Sequence, residues 1–412
     1  MSENLSYVLV TPHTIAKSRT GGVIARLLSL PGIELAGAQL ITPDQGFARA
    51  YSEALREETA PGEVNLCADY AAWNLCPQNG KRRRSLLLIF KGEAPCSVLV
   101  PVCGHLHPEH GGDDEAAGET IRDTYADLII SHYDPNVITY FEPAVITPRN
   151  QETADRDLRL FAGLLKTSDN VVDVGVAYPD PSKVEQTLVI IKPDNWEYAS
   201  TRPGTIISMF ACTGLRIAAV KVHRFSLGQA LEFYGPVKEA LEEKLAPTFG
   251  RKIKAMVERE FGLMLSEAAE KALIESAGIE CARDQFDRIV TFMSGETVPD
   301  GTLDAERAAK PGRSKCMILL YEGENAVQKI RAVLGPTDPL KAPGGTVRRD
   351  FGSNVMVNSA HASDSPENAR REMGIVRIHE NDLARLLAEY TEHCQQVKKN
   401  KTVIAGLDPA IY

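Results

Sequence analysis

Two stretches of the chain carry one pattern of hydrophobic and polar positions. In residues 6–40 the apolar run SYVLV enters Thr11-Pro12-His13, and a helix-period stretch, GGVIARLLSLPGIELAG, follows. In residues 187–222 the run TLVII enters Lys192-Pro193-Asp194, followed by PGTIISMFACTGLRIAA, which registers Gly22 with Gly204 and Gly32 with Gly214. Each predicts strand, loop, amphipathic helix, glycine stop and second strand. The repeat continues in SLLLIFKGEAPCSVLVPVCG against CMILLYEGENAVQKIRAVLGPTDP, aligning Gly92 with Gly323 and Gly104 with Gly335. GETIRDTYADLI then matches GGTVRRDFGSNV. Internal duplication is the main architectural expectation.

The order strand, helix, strand, strand, helix, strand predicts an α+β, ferredoxin-like (βαββαβ) unit twice over, each one antiparallel sheet with helices on one face. The expected domains are residues 1–170 and 185–412, joined through turn-rich residues 165–186. Residues 56–84 and the polar loop 105–117 depart from a minimal unit in the first half. In the second, 245–287 reads as extra amphipathic helix and 296–315 as a polar insertion with two prolines. The two halves are expected to pack on each other as a pseudo-dimer.

Composition narrows the function classes. At 412 residues the chain is long for one domain, and 43% hydrophobic with 25% charged residues suits a globular protein with a sizeable core. A net charge of -9 argues against a bulk electrostatic role on nucleic acid or an anionic membrane. Eight cysteines without framework spacing point to reduced thiols and a cytoplasmic location. No apolar run is long enough to span a membrane.

The chemistry concentrates in Thr346 to Met373, TVRRDFGSNVMVNSAHASDSPENARREM. A strand-like run is expected first, then His361, then a helix opened by the cap residues Ser363, Asp364 and Ser365 with Pro366 in its first turn. A nucleophilic imidazole needs one ring nitrogen free, the other hydrogen-bonded, and cations for the transferred group. Glu372, about two turns into the helix, and Arg348 and Arg349 upstream are candidates for those roles. Taken alone, a loop histidine is more often a packing residue, and Lys-Pro-Asp is more often a solvated turn.

Asn358-Ser-Ala-His361-Ala-Ser-Asp-Ser365, with Glu372 beyond it, resembles the active-site signature of nucleoside diphosphate kinases; Ala362 stands where that family usually has glycine. The resemblance implies a histidine that takes the γ-phosphate of a nucleoside triphosphate and passes it to a nucleoside diphosphate. It assigns Lys192, Arg331, Thr337 and Arg348 to the phosphates and Asn358 to the sugar. Ser363 and Glu372 would hold the ring, Tyr234 matches the family's tyrosine, and Mg²⁺ would arrive with the nucleotide. Phe249 is a candidate for stacking on the base. A homo-oligomer is compatible with the same resemblance.

The first half lacks most of this set. Thr11 replaces the lysine, Val100 stands at the place of Arg331, and Ile146 or a neighbour at that of the histidine, while Arg122 matches Arg348. It therefore reads as a degenerate, structural copy. Cys96, Cys103, His105, His107 and His110 match no common zinc spacing, so no metal site is expected. The competing class is a nucleotide-binding regulatory or scaffold protein that has lost turnover. A protein histidine kinase or phosphatase using the same histidine is a third.

Overall fold

The computed structural model describes residues 3–58, 65–105, 118–134 and 138–405. In the first unit, β1 (Asn4–Val10), β2 (Ile33–Ile41), β3 (Ser85–Gly92) and β6 (Val145–Ile146) form one antiparallel sheet in the order β2-β3-β1-β6. The hairpin of β4 (Asp127–Ile130) and β5 (Ile138–Glu142) stands apart from it. In the second unit, β7 (Val184–Ile191), β8 (Arg216–His223), β9 (Cys316–Glu324) and β10 (Ala360–Ala362) are ordered β10-β7-β9-β8. Both sheets place the unit's fourth strand beside its first and its second at the far edge. The fold is α+β and ferredoxin-like, built twice.

The sheets are covered on both faces, where helices on one face were expected. In the first unit Val8 and Val10 face the helix Thr20–Leu28, while Tyr7 and Leu9 face Tyr51 and Phe161 on the helices Gln45–Arg56 and Gln151–Leu165. The strands SLLLIF, TLVII and CMILLY are continuous apolar runs, as strands buried on both faces must be. The helix Asp382–Ala405 follows the second sheet in sequence, yet its Leu383 and Leu387 join the first unit's core.

The insertion expected at 245–287 is a helical hairpin. A helix that starts with a capping box at Ser226 runs from Leu227 to Phe261 and stops at Gly262 with φ +65°. The chain returns through Glu267–Leu273 and Ile279–Ser294. The strand expected around residue 346 is instead a short helix, Val347–Phe351. Its two apolar residues, Val347 and Phe351, are four apart, which is also one helical turn.

The units meet through equivalent elements: the helix Thr20–Leu28 crosses the helix Arg202–Ala211, and the edge strand β2 lies against the edge strand β8. One continuous apolar core contains Ile24 and Leu35 from the first unit and Ile206 and Val220 from the second. At its border Glu34 accepts from Arg224 at 3.0 Å and Lys315 at 3.0 Å. No disulfide joins the described cysteines, and among the described residues no helix is long and apolar enough to cross a membrane.

Candidate active site

Strand β10 is three residues long and pairs with β7 so that His361 lies opposite Ile190. Ala360 and Ala362 point into the inter-unit core, and strand alternation turns His361 to the other face. There the imidazole meets the edge of Phe233, with ring centroids 5.2 Å apart, and Tyr234 at 6.4 Å. The helix Pro366–Ile375, capped by Ser365 as expected, brings buried Glu372 back to the ring. His361 Nε2 lies 3.1 Å from each Glu372 carboxylate oxygen. Ser363 Oγ donates to the same carboxylate at 2.7 Å, and the Ser363 backbone N–H donates to Leu188 O at 3.0 Å, which extends the strand pairing. One ring nitrogen is therefore tied to a carboxylate. Nδ1 has no hydrogen-bond partner among the described residues.

The cations converge on the same end of β7. Lys192 is buried, and its ammonium donates to Asn358 Oδ1 at 2.7 Å and Met356 O at 3.2 Å. Burial, with the Arg348 guanidinium nearby, lowers its pKa to about 8 against the pull of Asp194. Arg348 is buried too and donates to Gly335 O and to Ala360 O, the carbonyl just before His361. Burial and the charge of Arg331 bring its pKa down to about 10. Arg331 is exposed on the helix Ala326–Leu334. Asn358 is fully engaged: besides Lys192 it donates to Thr337 O and Val355 O. Thr337 itself is exposed. Burial pushes the Tyr234 hydroxyl far up, with Glu372 adding to the effect.

Several residues of this site escaped the sequence. Asp194 sits behind Lys192, its carboxyl raised by burial, with Arg202 at 3.6 Å and the Ser359 hydroxyl at 3.4 Å. Asn195 donates to Ser359 O at 2.8 Å. Phe292, on the return helix of the insertion, holds its ring 6.0 Å from the Lys192 ammonium, a place the sequence assigned to no aromatic. Phe249 lies further along the long helix, half-buried. Lys-Pro-Asp was legible as a motif, but not that its Asp and the Asn after it brace the histidine strand.

The first unit repeats the frame without the chemistry. Ile146 pairs with Leu9 as His361 pairs with Ile190, so it occupies the histidine position. Arg122 donates to Gly104 O and Val145 O, the counterparts of the Arg348 acceptors. The Thr11 N–H donates to Ala144 O as Lys192 N–H does to Ser359 O, and both acceptor residues hold a left-handed φ, +56° and +68°. A strain kept in the copy that lacks the histidine belongs to the fold, not to the reaction. Two residues beyond Thr11 the unit's own side chains bond one another. His13 Nδ1 bonds Tyr70 at 2.7 Å, and His13 Nε2 faces Arg83 at 3.2 Å and Glu142 at 3.3 Å. Cys96 and Cys103 are buried, His107 and His110 lie outside the described residues, and among those described no group of three or more His, Cys, Asp or Glu side chains could hold a metal ion.

With this geometry in place, the likeness to known proteins is informative. The nucleoside diphosphate kinase family model matches residues 308–381. A nucleoside diphosphate kinase of Bdellovibrio bacteriovorus is 32% identical over 192 residues, covering 47% of this chain and 92% of that one. The Wolinella succinogenes nucleoside diphosphate kinase is 33% identical over 191 residues, 46% and 93% of the two chains. Among solved structures, that of the Aquifex aeolicus nucleoside diphosphate kinase is 28% identical and covers 47% of this chain and 94% of its own, with a TM-score of 0.29. The near-complete coverage of the Bdellovibrio relative at this identity places the chain in the nucleoside diphosphate kinase family.

Proposed function

We propose that the second unit is a working phosphotransferase that moves the γ-phosphoryl group of a nucleoside triphosphate to a nucleoside diphosphate through phosphohistidine on His361. The observation that carries this reading is the His361–Glu372–Ser363 arrangement. Nε2–H donates to a buried carboxylate, which fixes the tautomer and leaves the Nδ1 lone pair as the nucleophile. Nδ1 forms a bond to the γ-phosphorus while the bond from that phosphorus to the β–γ bridging oxygen breaks. The nucleoside diphosphate leaves with the electron pair, and an acceptor diphosphate reverses the step. Glu372 stabilises the positive charge the ring gains. Lys192, Arg331 and Arg348 would supply the compensating charge that the oxygens of the moving group need. Mg²⁺ enters as part of the nucleotide substrate, and the cationic groups here suit phosphate oxygens.

The test is incubation with γ-labelled ATP and no acceptor, followed by acid and base treatment. An acid-labile, base-stable phosphoprotein is expected at one label per chain; absence of label with nucleotide bound sinks the reading. The regulatory alternative draws support from Asn358, whose amide is wholly engaged within the protein. The same trap separates the two.

Two further outcomes follow from the geometry. Glu372→Gln keeps the volume but removes the charge, and is expected to slow transfer by roughly one to two orders of magnitude, the usual effect of losing a histidine's orienting partner. Nucleotide affinity should hold; an unchanged rate would show that the carboxylate does not act through the ring. Lys192 has a pKa of about 8, so its charge is present at pH 7 and fades as pH rises through that value. Nucleoside diphosphate affinity is expected to fall between pH 7 and pH 9.5, and to fall much less in Lys192→Arg, measured by calorimetry at constant ionic strength. Equal pH profiles for the two proteins would remove Lys192 from the phosphate site.

A further inference from the structure

Where β2 meets β8, the start of the helix Asp382–Ala405 closes over the junction and leaves a cavity of about 580 Å³. Its floor is drawn from matching positions of the two units. Gln39 faces Leu87 in the first sheet as Lys221 faces Ile318 in the second. Both side chains are buried, and so is that of His223 two residues on. Gln39 Nε2 and His223 Nε2 have no hydrogen-bond partner among the described residues and lie beneath that floor, closed off from the cavity. Lys221 donates to Arg377 O at 2.9 Å and to Asp382 at 2.8 Å.

The rim carries Arg377 and Arg385, with side chains 65% and 72% exposed. Each holds only a local carboxylate three residues away, Glu380 at 3.5 Å and Asp382 at 3.4 Å. Such surface pairs are weak and easily exchanged for another anion. Lysine and arginine side chains outnumber carboxylates around the cavity four to three, in a chain whose net charge is -9. The guanidinium forks of Arg377 and Arg385 suit phosphate oxygens. The volume is that of a small-molecule site.

We propose that this inter-unit cavity binds a small phosphate-bearing anion, separately from the histidine site. The wall it would press on is connected to that site. Val376 and Arg377 follow directly on the helix that carries Glu372, and Gln229, also lining the cavity, donates to Ile375 O at 2.8 Å. The proposal stands on its own geometry and does not depend on turnover at His361.

The experiment is calorimetric titration of the full chain carrying Lys192→Ala, which weakens phosphate binding at the histidine site. One equivalent of pyrophosphate is expected to bind, and adding Arg377→Ser with Arg385→Ser is expected to weaken it at least tenfold. Both arginines are exposed, so the double variant should unfold at the temperature of its parent. Absence of pyrophosphate binding to the Lys192→Ala chain, or a loss under tenfold in the double arginine variant, overturns the proposal. Parallel titrations with inorganic phosphate and with ADP identify the source: tighter ADP binding marks a nucleotide, and pyrophosphate at least as tight as ADP marks an inorganic ligand.

Discussion

His361→Ala is expected to abolish phosphate transfer from ATP to GDP, by roughly 10⁴-fold or more, as removal of a covalent nucleophile does. The fold should survive. The imidazole is 21% exposed at a sheet edge, and Ala360 and Ala362 supply the burial of that strand. Glu372 would lose the ring but keep the Ser363 hydroxyl at 2.7 Å, so it is not left without a partner. Residual transfer has no second source in the repeat, because Ile146 stands at the register of His361 and Thr11 at that of Lys192. The assay compares wild type and variant side by side, with circular dichroism to check the fold. Transfer near the wild-type rate in the variant would remove His361 from the mechanism. Failure of wild type to transfer, with ADP still bound, would turn the second unit into a nucleotide sensor on the family's fold.

The duplication and the strand order were legible because the apolar runs, the glycine stops and their spacings recur in both halves. The histidine, its carboxylate and its serine were legible because they lie within twelve residues of one another, with the helix cap between them. What the sequence concealed depends on long-range pairing. Nothing local marks Asp194 and Asn195 as braces for Ser359, since the two segments are about 165 residues apart in the chain and meet only when β10 pairs with β7. Phe292 reaches Lys192 only because the insertion folds back as a hairpin. The short helix at Val347 was misread because a Val and a Phe four apart satisfy both a strand's alternation and a helical turn. The second helical layer could have been inferred from the unbroken apolar strands, which have no polar face to show to water.

A change as small as one methyl group should separate the part of the chain that holds the units together from the part that does not. Helices Thr20–Leu28 and Arg202–Ala211 approach so closely that a Cβ on Gly204 would lie 2.2 Å from the Ala25 backbone nitrogen and 2.4 Å from Gly21 O. Backbone atoms inside a helix cannot step aside as a flexible side chain can, so Gly204→Ala must push the helices apart along the shared core of Ile24 and Ile206. The expected cost is about 3 kcal/mol, the upper end of overpacking, against a gain in helix propensity of about 1 kcal/mol or less. Gly163, exposed in the helix Gln151–Leu165, has nothing within 4 Å of its would-be Cβ. There the propensity gain stands alone, and Gly163→Ala is expected to stabilise by about 0.5–1 kcal/mol. Denaturant unfolding of the two variants should therefore move in opposite directions from wild type. If Gly204→Ala unfolds like wild type, the helices are not in the contact described, and the pseudo-twofold packing of the units fails with it. A loss confined to Gly204→Ala ties stability to the crossing of these two equivalent helices.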